Sequence, residues 1–234
     1  MDNSLNGKVV AVTGGFGALG SAVGKVLAEH GMQVVLLGRE APPQMPKDSG
    51  NNSMAIGGVD LTSLVQTQQA FAEIKTRFGR LDALINVAGG FRWEPVIGGH
   101  SETWDLMYQV NLKTALTASE AAIPFLLENG MGRIVNIGAM AGLKAGLGMG
   151  AYAASKAALA RFTEALSEEL KHKGITVNAI LPSTIDTAKN RADMPDADFT
   201  KWVKPEQIGS IIAFLLSSDA DAITGALLPV AGRV

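Results

Sequence analysis

The chain has 234 residues, 47% of them hydrophobic, a formal net charge of −2 and no cysteine. That length and apolar content suit one α/β domain with a sizeable core. The charge balance gives no electrostatic case for nucleic acid or an anionic membrane as main partner. The absence of cysteine excludes disulfides, thiolate metal sites and a cysteine nucleophile.

The opening MDNSLNGKVV lacks the basic and apolar regions of a signal peptide, and no apolar run approaches the ~20 residues of a membrane helix. A cytoplasmic protein with no membrane partner is expected. His30, His100 and His172 lie far apart in sequence, so no metal site is expected. In chain order, KVVAVTGG (8–15) reads as a strand running into a glycine-rich turn, and GALGSAVGKVLAEHG (17–31) as a helix closed by Gly31. QVVLLG (33–38) is a second strand. Residues 40–53, rich in Pro, Gly, Asn and Ser, read as a surface loop. SMAIGGVD (53–60) holds a third, short strand. TSLVQTQQAFAEIKTRFG (62–79) predicts a helix with Thr62 as N-cap and Gly79 beyond its end. LDALINVAGG (81–90) is a fourth strand with its exit loop, and a helical region follows over 102–127. GRIVNIG (132–138) is a fifth strand, YAASKAALARFTEALSEELKHKG (152–174) a long helix, and ITVNAILP (175–182) a sixth strand. Residues 183–204 are polar and irregular. Pro205 opens a helix over 205–218, and GALLPVAG (225–232) is a seventh, short strand.

Strand–helix alternation of this kind predicts a mainly parallel sheet with helices on both faces. The strands are continuous Val/Ile/Leu runs, as expected where both faces are covered, and no composition break or repeat divides the chain. The expected fold is a single Rossmann-type, doubly wound α/β domain of about seven strands spanning residues 1–234. Ligands in such folds gather beyond the carboxyl ends of the strands.

The first of those ends is TGGFGALG, residues 13–20. Gly14, Gly17 and Gly20 recur every three residues between a strand and a helix. Glycines there let the backbone approach a pyrophosphate, which the helix N-terminus attracts. The second strand ends in LLGRE, where no carboxylate occupies the tip and Arg39 follows Gly38. A guanidinium suits a ribose 2′-phosphate, so NADP(H) is preferred over NAD(H). Glu40 is the counter-argument, as an acid one or two positions late, and Arg39 as a plain solvated charge is the other reading.

Several separate motifs agree in order and spacing: TGGFGALG, Asp60 in VDLT, NVAG (86–89), Asn111 in VNLKT, Tyr152 with Lys156, and Pro182 with Thr187. Together they resemble the short-chain dehydrogenase/reductase family along nearly the whole chain. The resemblance implies an NAD(P)-dependent oxidoreductase acting on a small-molecule substrate. Its cofactor contacts would fall on Thr13, Gly14, Gly17, Leu19, Gly20, Arg39, Asp60, Leu61, Asn86, Ala88, Gly89, Tyr152, Lys156, Pro182 and Thr187. Asn111, Tyr152 and Lys156 would be catalytic. It also implies a homodimer or homotetramer built through the helices around 102–127 and 152–171.

Three positions depart from the family pattern. Ala18 replaces the middle glycine of the turn, with Gly17 one place earlier, and Ser183 replaces the glycine after Pro182. Most consequentially, Ala139 stands thirteen residues before Tyr152, where relatives place a catalytic Ser. The dihydropteridine reductase branch lacks that Ser too, and VAGGFRW (87–93) and LPSTIDTAKNRADMPDADFTKW (181–202) resemble segments of it. That branch carries an acid at the second strand's tip, unlike Arg39.

Lys156, one helical turn after Tyr152, is expected to lower the phenol's pKa and fit it for general acid–base work. As the family implies, it would also hold the nicotinamide ribose, with Asn111 holding a water that links it to solvent. The missing hydroxyl at 139 leaves three readings: a substrate that needs no donor there, a replacement donor such as Ser183 or Thr184, or a catalytically quiet dinucleotide-binding module. Residues 183–204, with Asn190, Arg191, Phe199 and Trp202, are expected to form a substrate lid. Phe91, Arg92 and Trp93 would line the opposite wall.

Overall fold

The computed structural model describes residues 4–42 and 53–234. Seven strands form one parallel sheet in the order β3-β2-β1-β4-β5-β6-β7. They are β1 (Val9–Thr13), β2 (Gln33–Leu37), β3 (Ser53–Ile56), β4 (Ala83–Asn86), β5 (Gly132–Ile137), β6 (Ile175–Pro182) and β7 (Leu227–Val230). Every residue of β1, β4, β5 and β6 is buried, which explains their unbroken apolar runs: helices cover both faces.

Alternate residues feed two cores. Val10 and Val12 pack with Val23 and Leu27 of α1 (Ala18–Glu29) and Ile208 and Ile212 of α7 (Pro205–Leu216). Val9 and Ala11 face the other layer, with Phe71 and Ile74 of α2 (Leu64–Phe78), Ala118 and Ala122 of α4 (Thr114–Glu128) and Leu166 and Leu170 of α5 (Gly150–Leu170). The chain leaves β1 toward β2 and β3, then returns to β4 on the other side of β1. The loops after β1 and β4 therefore diverge and open a crevice at this reversal. Register puts Thr13, Asn86 and Asn136 side by side at its floor.

The local signals need four revisions. The N-cap of α2 is Ser63, whose hydroxyl accepts from the Gln66 N–H; Thr62 instead donates its hydroxyl to Asp60. The helical region over 102–127 is α3 (Ser101–Tyr108), a π-helical turn (Gln109–Lys113) and α4. The long helix starts two residues early, at Gly150. Residues 183–204 are not irregular throughout. They contain α6 (Ala188–Asp193), capped by the Thr187 hydroxyl, a 3-10 turn (Phe199–Lys201), and a parallel bridge between Ile185 and Val203. Of the loop expected over 40–53, residues 43–52 lie outside the described residues, and Ser53 already belongs to β3. Among the described residues no helix is long and apolar enough to cross a membrane.

Candidate active site

The turn after β1 is tight because three of its glycines, Gly14, Gly15 and Gly20, have no room for a side chain. Gly14 has φ 62°, and a Cβ there would lie 2.9 Å from the backbone of Ala88. A Cβ on Gly20 would lie 2.2 Å from the Gly14 carbonyl oxygen. Gly17 is the N-cap of α1 and offers no side chain to the helix's first N–H groups, and the first turn carries no acid. Bare N–H groups, a glycine-lined approach and the positive end of a twelve-residue helix suit a pyrophosphate. Leu19 is half-buried and packs against the core.

At the neighbouring strand end, β2 stops at Leu37 and Arg39 is exposed just beyond. Asp60 accepts from the Thr62 N–H (2.9 Å) and hydroxyl (2.8 Å). Those bonds hold its carboxyl below the usual range, and the charge of Arg39 adds in the same direction. Its neighbour Leu61 is buried.

Across the crevice, the Thr13 hydroxyl accepts from the N–H groups of Val87 (3.1 Å) and Ala88 (3.2 Å), so its side chain ties the β1 exit to the β4 exit. Asn86 is also turned inward. Its Nδ2 donates to Ser119 (3.2 Å) and to Asn136 Oδ1 (2.9 Å), and Asn136 donates in turn to Thr163 (2.9 Å). The side chains of these two expected cofactor residues thus brace the loops that form the crevice.

The structure brings Asn111, Gly89 and Lys156 together. A Cβ on Gly89 would lie 2.7 Å from Asn111 Oδ1 and 3.4 Å from Lys156 Nζ. Asn111 is fully buried within the π-helical turn, a departure from α-helix often found at functional sites. Its amide exchanges hydrogen bonds with the N–H (2.9 Å) and carbonyl (3.0 Å) of Gly90 and donates to the Ser155 hydroxyl (3.0 Å). Ser155 donates to the Tyr152 carbonyl (2.7 Å). The sequence reading missed Ser155; its signal is the i+3 position after Tyr152, on the buried face of α5. Lys156 is buried, and its ammonium donates to the Ile137 carbonyl at the end of β5 (2.8 Å).

Burial pushes the Tyr152 phenol up to about 12 and the Lys156 amine down to about 8. The lowering of Tyr152 expected from Lys156 is therefore reversed here. Desolvation disfavours the charged form of each, and the lysine's charge is directed at a backbone carbonyl. Phe91 shields the phenol further, its ring edge-on to Tyr152 with centroids 4.9 Å apart. Ala139, extended and buried, leads from β5 into a 3-10 turn (Met140–Gly142). Of the proposed replacement donors, Ser183 spends its hydroxyl on the Ala231 carbonyl (2.6 Å).

Beyond β6, Pro182 pairs with Val230 of β7 and Thr187 caps α6. The expected lid residues pack on one another. Arg191 pairs with Asp186 (2.6 and 2.8 Å) and lies over the Phe199 ring, which tilts against the buried Trp202. The Asn190 amide donates to the Ile185 carbonyl (2.8 Å). On the opposite wall, Trp93 Nε1 donates to the Leu147 carbonyl (3.0 Å) and the Glu94 N–H to the Gly148 carbonyl (2.8 Å), joining the β4 and β5 exit loops.

A family model described as short chain dehydrogenase matches residues 8–198. The chain belongs to the short-chain dehydrogenase family. An uncharacterized oxidoreductase of Staphylococcus aureus (strain USA300) is 31% identical over 215 residues, covering 91% of this chain and 92% of that one. A 3-oxoacyl-[acyl-carrier-protein] reductase of Vibrio cholerae is 31% identical over 240 residues, covering 98% of each. Among solved structures, ligand-free aldohexose dehydrogenase of Thermoplasma acidophilum superposes with a TM-score of 0.89 at 26% identity, covering 100% of this chain and 96% of that one. A 3-ketoacyl-(acyl-carrier-protein) reductase of Brucella melitensis complexed with NADH gives 0.87 at 26% identity, covering 98% of each. This short-chain dehydrogenase is thus an NAD(P)-dependent oxidoreductase, and its glycine cradle fits the nicotinamide dinucleotide of the family.

Proposed function

We propose that the protein catalyses NADPH-linked reduction of a carbonyl, imine or quinonoid substrate, with Tyr152 as the proton donor. When bound, a nicotinamide dinucleotide would supply a hydride to the substrate's electrophilic carbon. Tyr152 gives its phenolic proton to the oxygen or nitrogen that gains the electron pair. The observation that carries this reading is geometric: Asn111, Gly89 and Lys156 converge beside the glycine cradle, and Tyr152 stands one turn before Lys156 on α5. Lys156 holds a proton within the same buried end of the site, and Asn111 and Ser155 fix the backbone on which Tyr152 stands. Arg39 receives the 2′-phosphate. The segment 183–204 closes the substrate side, and a homodimer or homotetramer is part of this reading.

Ala139 bears on the substrate. Removing one preorganised donor costs ~2.7–4 kcal/mol in a transition state that depends on it. A substrate whose own conjugation accommodates the developing charge, such as a quinonoid or pterin-like ring, loses least. Ala139 also supports a second reading, a dinucleotide-binding module without turnover. NADPH oxidation with a panel of β-ketoacyl thioesters, simple ketones, quinones and quinonoid dihydropterin separates the two. Background rates throughout, with dinucleotide bound, would establish the quiet module. Turnover that survives Tyr152→Phe would remove Tyr152 from the chemistry. An Ala139→Ser variant that gains ketone reduction would assign the substrate restriction to the absent hydroxyl.

A further inference from the structure

We propose that Phe16 is a cofactor-specificity residue: its ring occupies the space a carboxylate on residue 38 would need, which leaves reading of the ribose 2′ position to Arg39. The proposal deepens the NADP(H) reading and rests on it for the direction of the preference. Gly38 is buried at the exit of β2, and a Cβ built there would lie 2.2, 2.4 and 2.8 Å from Cδ2, Cε2 and Cγ of Phe16. Those separations exclude even an alanine while the ring holds its place. The ring is not free to swing aside at no cost, because Phe16 packs against the core cluster under α1 and α7. The glycine turn itself is seated on β2: the Gly15 N–H donates to the Leu37 carbonyl (2.9 Å), and a Cβ on Gly15 would lie 2.7 Å from Leu36 Cβ.

The two residues that follow Gly38 point to the same conclusion. Glu40, the other carboxylate near the tip, has its backbone fixed against the β3 exit. Its carbonyl accepts from the Gly58 N–H (3.1 Å) and would lie 2.4 Å from a Cβ on Gly57. Arg39 is exposed, and its charge reaches Asp60. A ribose 2′-hydroxyl is normally read by an acid at this strand tip and a 2′-phosphate by a nearby arginine. Here the arginine is present, and the aromatic ring blocks the acid's place. Phe16 and Gly38 therefore act as one unit, and a carboxylate at 38 can read the ribose only when 16 changes with it.

Two double-mutant cycles test this. In the first, Phe16→Ala, Gly38→Ala and the double variant are melted without dinucleotide. Gly38→Ala is expected to lower Tm by roughly 2–10 °C, the range for overpacking in a domain of this size. The double variant is expected to be markedly more stable than the sum of the two single losses. Additive losses would overturn the contact. In the second cycle, dissociation constants for NADPH and NADH are read from nicotinamide fluorescence in wild type, Phe16→Ala, Gly38→Asp and Phe16→Ala/Gly38→Asp. Gly38→Asp alone is expected to weaken both dinucleotides. The double variant is expected to bind NADH at least about tenfold more tightly than Gly38→Asp does, while NADPH stays weak, since a carboxylate accepts from a 2′-hydroxyl and repels a 2′-phosphate. Equal NADH affinity in those two variants would overturn the proposal. If the wild type bound NADH more tightly than NADPH, the role given to Arg39 would fail, whereas the Phe16–Gly38 coupling would still be decided by the melting cycle.

Discussion

At the exit of β1, recognition depends on atoms that are not there: Gly14 and Gly20 leave room for backbone to meet backbone, and α1 begins with N–H groups that no side chain caps. Where the π-helical turn meets α5, the side chains proposed for the chemistry are drawn out of water: Asn111 is fully buried, Lys156 nearly so, and Tyr152 half-buried. The first kind of site tolerates no added atom. The second tolerates no lost partner, because each buried polar group left alone costs about 1–3 kcal/mol. The two ends of one crevice should therefore fail in different ways.

The largest expected effect is at the buried end. Tyr152→Phe should reduce kcat/KM by about 10²–10⁴-fold in NADPH-oxidation assays while changing the dinucleotide's dissociation constant less than twofold. A large change in affinity would blur the division between the two ends. At the other end, Gly20→Ala should produce the opposite pattern. Its methyl would lie 2.2 Å from the Gly14 carbonyl, so it should cost on the order of 3 kcal/mol in urea unfolding and abolish most dinucleotide binding with any substrate.

The buried lysine gives a pH test of about the same size. Its pKa falls from 10.5 to about 8 on folding. Between those values the unfolded chain keeps a proton that the folded chain has released, so raising pH favours folding by up to about 3 kcal/mol. Tyr152, raised from 10 to about 12, acts in reverse above pH 10, where the unfolded chain ionises first. Stability without added dinucleotide should therefore climb from pH 8 to 10 and then turn over. In Lys156→Met the climb should vanish, and melts of the two proteins across that range would check it. The smallest effect probes neither end directly. Ser63→Ala should cost about 1 kcal/mol by removing the cap of α2, without changing dinucleotide affinity beyond twofold.

What the sequence revealed follows from the same contrast. The glycine turn was legible because a missing Cβ is visible in the letters, and seven strands were legible because burial on both faces leaves continuous apolar runs. Tyr152, Lys156 and Asn111 were found by spacing and resemblance, but their behaviour was not. The partners of Asn111 are Gly90 and Ser155, 21 and 44 positions away, and the lysine's carbonyl lies 19 positions back. No local pattern contains those distances, so the buried bonds of Asn111 and the desolvation that raises the Tyr152 phenol were not legible in the letters. The N-cap at Ser63 was missed by one residue because Thr62 and Ser63 are equally good caps, and the choice depends on Asp60 claiming the threonine hydroxyl. Helix α6 was hidden by its polarity: it is held by the Thr187 cap and neighbouring ion pairs, and none of its residues is buried.

The π-helical turn at Gln109–Lys113 has a consequence for the whole rod that contains it. Such a turn amounts to one surplus residue in an otherwise continuous helix, which shifts the angular phase of everything downstream by about 100°. Helix α3 accordingly lies against α5, whereas α4 lies against α2 and the central strands. The rod thus changes neighbours midway without breaking. A deletion of one residue within 109–113 would act as a rotation: α3 would stay seated, and the seam of Ala118, Ala121 and Ala122 would swing away from the sheet it now covers.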